Sequence, residues 1–190
     1  MQQRLPSLLD PPIGFAHRGA RAHSQENTLP AFELALKLGA TGLESDVWIT
    51  ADGVAVLDHD GVIRKGLRRH PVPALRRDEL PPHIPGLADL FAACGTAFDL
   101  SLDLKQPGIG QQVIDTVVSV APDFLPRLWL CSPSIDELVS LRASNPAVRL
   151  VNSTHLNRME HGPERRAANL AELGIDAVNL HHNDWTGGLV

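Results

Sequence analysis

The stretch LESDVWITADGVAVLDHD, residues 43–60, decides the fold. Two β-rich runs, 43–49 and 54–59, flank Asp52-Gly53. A parallel crossover needs a dozen or more residues, whereas Asp-Gly between such runs signals a hairpin. The spacing therefore predicts one strand of a parallel sheet continuing into an antiparallel hairpin, whose return arm carries His59 back toward the acids near Glu44. On the first arm Glu44 and Asp46 flank Ser45, and period two puts both carboxylates on one face. Two such charges repel unless offset. A hard divalent cation, Mg²⁺ or Ca²⁺, does this well, since carboxylate oxygens suit it; a polar-faced edge strand with two solvated acids is the plain alternative.

Outward from this stretch, short apolar runs alternate with helical patterns. Residues 13–16 read as a strand and 29–38 as a helix, with Pro30 in its first turn and Gly39 as its stop. Further strands are expected at 98–104, 128–131, 148–151 and 177–180. Helices are expected at 87–93, 109–120, 134–144 and 164–173. Ser134 with Glu137 three residues on makes a capping-box pattern. Alternation of this kind implies a parallel sheet covered by helices. Six parallel strands are counted in all, two short of a (β/α)₈ barrel, so the expectation is a TIM barrel truncated to about six strands, with a β-hairpin extension carrying His59. Residues 1–12 are read as an N-terminal extension and 13–190 as the domain.

The 190 residues are 43% hydrophobic with net charge −5, a field that repels polyanions such as nucleic acid. An anionic substrate fits only where a metal ion or clustered cations reverse the local sign. Cys94 and Cys131 have neither metal-type spacing nor a disulfide framework. No basic region followed by a long apolar run opens the chain, and no apolar run is long enough for a membrane span, so a cytoplasmic protein is expected.

Strand ends in parallel α/β folds hold the chemistry. Asp103 and Lys105, in LSLDLK, share one face at such an end; an ion pair is the simpler explanation for either residue alone. His17 and His59 each close an apolar run, IGFAH and VAVLDH, and imidazole serves as general acid or base near neutral pH. The stretch GFAHRGARAHSQENT adds Arg18, Glu26 and Asn27. His23 and His83 read as loop residues, and His155 as the end of its strand. Adjacent His181 and His182 are expected to point oppositely. RKGLRRHPVPALRRDEL places six of the 17 cations between Arg64 and Arg77. It reads as a solvated loop with Pro-set turns, with attraction of anionic substrates or a lipid surface as the sharper option.

Taken in order, His17-Arg18-Gly19, Glu26-Asn27-Thr28, Glu44 and Asp46, Asp52-Gly53 and His59-Asp60 resemble the N-terminal pattern of the glycerophosphodiester phosphodiesterase family. IPGLADLF and LSLDLK resemble two of its later segments, and the resemblance fades after Lys105. It implies a TIM barrel that uses a divalent cation, Mg²⁺ or Ca²⁺, to hydrolyse glycerophosphodiesters to an alcohol and glycerol 3-phosphate. By the same resemblance Glu44, Asp46 and Asp103 are metal ligands, and His17 and His59 the acid/base pair. Arg18 and Lys105 contact phosphate, supported by Glu26 and Asn27. Asp103 stands where the family usually has Glu, and the family's last two strands are not found. A catalytically impaired or truncated phosphodiester-binding relative, and a phospholipase-D-like lyase on the same scaffold, are the alternatives.

Overall fold

The computed structural model describes residues 9–185. Strands β1 (Phe15–His17), β2 (Gly42–Ile49), β6 (Asp99–Leu104), β7 (Leu128–Ser132), β8 (Arg149–Thr154) and β9 (Ala177–Leu180) run parallel in that spatial order. They form a curled half-barrel of six strands, matching a truncated TIM barrel. Helices α1 (Leu29–Lys37), α2 (Leu87–Cys94), α3 (Gly110–Val120), α4 (Ile135–Ser144) and α5 (Pro163–Glu172) form the successive crossovers. The expected α/β alternation is therefore the observed one. Bounds shift by a residue or a few, as hydrogen bonding at element ends requires.

The alternation of each strand separates its two faces. Leu43, Ser45 and Val47 of β2 are wholly buried, and Leu100 and Leu102 of β6 join them in the main core with Phe32 of α1 and Val113 of α3. The opposite face carries register rows across the sheet. His17, Glu44, Ser101 and Trp129 form one row, and Asp46, Asp103, Cys131, Val151 and Ala177 the next. Neighbours in a row share a face, so residues distant in sequence meet there. Gly42 is needed in the row below, because a Cβ would sit 2.6 Å from the Phe15 ring.

Strand β3 (Ala55–Leu57) returns antiparallel on β2, pairing Val47 with Leu57 and Ile49 with Ala55. The connection, residues 50–54, is one residue longer than the two runs imply: Gly53 N–H donates to the Thr50 carbonyl, and Gly53 takes φ +82°. The return strand stops at Leu57. Asp58 then turns the chain, its carboxylate accepting from Gly61 N–H at 2.7 Å while its carbonyl accepts from Trp48 Nε1.

Two further differences have local causes. The cationic stretch is not an irregular loop. It begins with an antiparallel ribbon, β4 (Val62–Lys65) and β5 (Arg68–Pro71), rooted by Ile63 and Val72 in a satellite core with Val56, Leu75, Leu80 and Ile84. Ser134 does cap α4, but the Glu137 carboxylate accepts from Gly108 N–H and Ser132 Oγ instead of closing a box.

Candidate active site

The carboxylates of Glu44, Asp46 and Asp103 offer oxygens that all lie within 4.8 Å of one another. Register explains this: Asp46 and Asp103 are direct partners on adjacent strands, and Glu44 lies two residues from Asp46 on the same face. Asp46 is the centre, 2% exposed. Its Oδ1 lies 2.7 Å from Lys105 Nζ, and its Oδ2 lies 3.7 Å from Arg18 Nε. Lys105 also lies 3.6 Å from Asp103 Oδ2. Asp46 Oδ2 and Arg18 Nε are both buried without a hydrogen bond.

The loop after β1 is bent to bring Arg18 inward. Arg18 takes φ +56°, in the left-handed region that non-glycine residues seldom occupy. The bend is held by its N–H, which donates to Glu44 Oε2 at 3.0 Å, and by its guanidinium on Glu26, also at 3.0 Å. Asn27, likewise at positive φ, donates its N–H to the Arg18 carbonyl and accepts from Ser45 Oγ at 2.8 Å. Asn27 thus ties the loop to β2 from behind the acid-bearing face. Ser45 escapes a sequence reading focused on Glu44 and Asp46, although a buried hydroxyl between two acids signals a polar partner on the other face.

His17 Nε2 lies 3.8 Å from Glu44 Oε2, beyond hydrogen-bond range. His59 begins one residue past Asp58, whose N–H donates to the Asp46 carbonyl. The hairpin therefore returns the chain to the acid-bearing strand as expected. The His59 ring bonds Asp60, Nδ1 to Oδ1 at 2.8 Å, rather than a carboxylate of the cluster. Of the sequence-derived candidates, then, Glu44, Asp46, Asp103, Lys105, Arg18 and His17 form one contiguous group. Glu26 and Asn27 brace it, and His59 stands beside it. His181 and His182 do not point apart: β9 ends at Leu180, and their rings lie 4.1 Å apart beside His155, outside the acid cluster.

Electrostatics mark the group as short of positive charge. Burial first, then the charges of Asp46 and Asp103, push the Glu44 carboxyl up to about 7. Burial likewise raises Asp103, opposed by Lys105. Burial works to lower Lys105, but its bond to Asp46 and the surrounding carboxylates leave it raised overall. Burial and the neighbouring Arg18 and Arg21 hold His17 below its ordinary 6.5, so its imidazole is neutral at pH 7. Three oxygen donors, one of them an orphaned buried carboxylate oxygen, fit a hard divalent cation.

This predicts a pH dependence in metal-free buffer. The folded Glu44 carboxyl keeps its proton until about pH 7, whereas the unfolded one releases it near 4.5. Between those values the folded state binds more protons, so stability falls as pH rises, by roughly 3 kcal/mol across the window. Denaturant titrations at pH 5 and pH 8 should show this drop, and Glu44→Gln should flatten it.

A family model described as the glycerophosphoryl diester phosphodiesterase family matches residues 17–189. Glycerophosphodiester phosphodiesterase 1 of Rattus norvegicus is 52% identical over 48 residues, which is 25% of this chain and 14% of that protein. A glycerophosphodiester phosphodiesterase of Caldanaerobacter subterraneus is 48% identical over 48 residues, 25% of this chain and 20% of that protein. The matched segments thus span a fifth or less of these relatives' lengths. Among solved structures, a phosphodiesterase of Oleispira antarctica in complex with the product sn-glycerol-3-phosphate aligns with TM-score 0.75 at 24% identity, over 92% of this chain and 77% of that one. A glycerophosphodiester phosphodiesterase of Parabacteroides distasonis aligns with TM-score 0.72 at 22% identity, over 90% and 74%. At such identities the two structures show the shared fold.

Proposed function

The chain belongs to the glycerophosphoryl diester phosphodiesterase family, and we propose that it hydrolyses glycerophosphodiesters to sn-glycerol 3-phosphate and an alcohol with the aid of a divalent cation. The observation that carries this reading is the joining of three carboxylates, two partly buried cations and a neutral imidazole on one face of the sheet. Glu44, Asp46 and Asp103 would hold the cation, Mg²⁺ or Ca²⁺. When bound, it supplies the positive charge that neutralises a phosphodiester's anionic oxygens and stabilises its transition state.

The chain's own residues do the rest. Arg18 and Lys105, both within 4 Å of Asp46, supply the N–H donors to the phosphate. His17 and His59 act as the acid/base pair, one accepting the nucleophile's proton and the other protonating the leaving alkoxide. Glu26 and Asn27 keep the Arg18 loop bent toward the site.

Product analysis with glycerophosphocholine and Mg²⁺ or Ca²⁺ tests the proposal. Free glycerol 3-phosphate and choline are expected in equal amounts. Accumulation of a cyclic phosphate as the final product would instead indicate a lyase, and no turnover with retained substrate binding would indicate a binding protein.

A further inference from the structure

The β4–β5 ribbon has a construction that the proposed catalytic site does not use. Its cross-strand pairs set Arg64 opposite Arg69 and Lys65 opposite Arg68. Like charges directly opposite destabilise a ribbon, and a two-stranded ribbon is marginal to begin with. Counter-charges do little to relieve the repulsion. Lys65 pairs with Glu79 at 3.3 Å, but among the described residues no carboxylate lies within 4 Å of Arg64, Arg68 or Arg69. The remaining cations of the run are engaged elsewhere, Arg76 with Asp52 and Asp78, and Arg77 with Asp89.

At the tip, between Gly66 at φ +63° and Arg68, Leu67 is 105% exposed, extending fully into solvent. The base is the opposite: Ile63 and Val72 are locked in the satellite core, and Val72 N–H donates to the Gly61 carbonyl at 2.8 Å. The result is an anchored finger with an apolar tip and a cationic collar on both of its faces. It leaves the fold directly after His59 and Asp60.

From this geometry we infer that the ribbon docks end-on at an anionic lipid bilayer, Leu67 entering the interface while Arg64, Lys65, Arg68 and Arg69 lie among the headgroups. Charge complementarity selects the occupant. Each cation near an anionic surface contributes about 1 kcal/mol, or about fivefold in affinity, in a chain whose net charge of −5 otherwise disfavours that surface. An exposed leucine gains from hydrocarbon but gains nothing from a nucleic-acid phosphate backbone, and no Phe, Tyr or Trp stands on the ribbon to stack with bases. The dock would hold the mouth of the neighbouring site at the membrane.

Co-sedimentation of the full chain with vesicles tests this. Phosphatidylcholine vesicles containing roughly 30% phosphatidylglycerol should pellet the protein, pure phosphatidylcholine vesicles should not, and about 0.5 M salt should release it. An Arg68→Glu/Arg69→Glu variant should bind at least about tenfold more weakly. It should also melt at a temperature equal to or above the wild type, because both facing pairs become opposite in charge. Leu67→Ser should weaken binding severalfold and leave release by salt in place. Neither variant should alter hydrolysis of water-soluble glycerophosphocholine. Equal pelleting with both vesicle types, undiminished binding by the Arg68→Glu/Arg69→Glu variant, or displacement from anionic vesicles by an equal charge concentration of duplex oligonucleotide would overturn the inference.

Discussion

Replacing Asp46 with Asn is expected to lower kcat/KM for glycerophosphodiester hydrolysis at least a thousandfold, about 4 kcal/mol of transition-state stabilisation. The size follows from position. Asp46 is the most buried of the three acids, its Oδ1 is in contact with Lys105 and its Oδ2 faces Arg18. An amide has nearly the same volume but carries no charge, and one of its two polar ends would turn N–H donors toward Lys105 or Arg18. The proposed cation site would lose its central ligand, and Arg18 and Lys105, the proposed phosphate contacts, would lose the carboxylate they share. Thermal melts separate this from misfolding: Mg²⁺ or Ca²⁺ should raise the wild-type melting temperature and leave that of the folded Asp46→Asn variant unmoved.

His17→Ala is expected to cost between about a hundredfold and ten-thousandfold in kcat, the usual range for a positioned general acid or base. Its pH signature is specific. Burial and the flanking Arg18 and Arg21 hold the wild-type imidazole below 6.5, so the neutral, proton-accepting form is populated above that lowered value and lost as pH falls through it. If His17 is the base, kcat/KM should decline on the acid side below pH 6.5, and the variant should lack that limb. Should the acid limb persist unchanged in His17→Ala, the base would have to be sought in His59. The double variant His17→Ala/His59→Ala should retain no proton-transfer advantage in either assignment.

The fold was legible where local chemistry repeats. Alternation in LESDVWI told the core face of β2 from the acid-bearing face, and Asp52-Gly53 turned the chain back as their spacing required. Pro30 marked the first turn of α1 and Gly39 its end. The acid cluster was legible for the same reason, since period two aligned Glu44 with Asp46 and the parallel register placed Asp103 alongside. What escaped depends on contacts between distant residues. Asn27 and Ser45 are 18 residues apart and meet on the reverse of the acid face. The β4–β5 ribbon lacks alternating apolar residues; Ile63 and Val72 acquire partners only when Val56 and Ile84 are brought to them. Likewise Glu137 was drawn from its cap by Gly108, 29 residues away. His181 and His182 bring their rings together, tilted 42° apart, because the strand that would have separated them ends one residue earlier.

The central claim is that Glu44, Asp46 and Asp103 hold a divalent cation on which phosphodiester hydrolysis depends. Glycerol 3-phosphate release from glycerophosphocholine by chelator-stripped protein tests it directly. The account predicts release at the uncatalysed background after stripping, and recovery on adding back Mg²⁺ or Ca²⁺ to the wild type but not to Asp46→Asn. Hydrolysis that continues undiminished in the presence of excess chelator would contradict it.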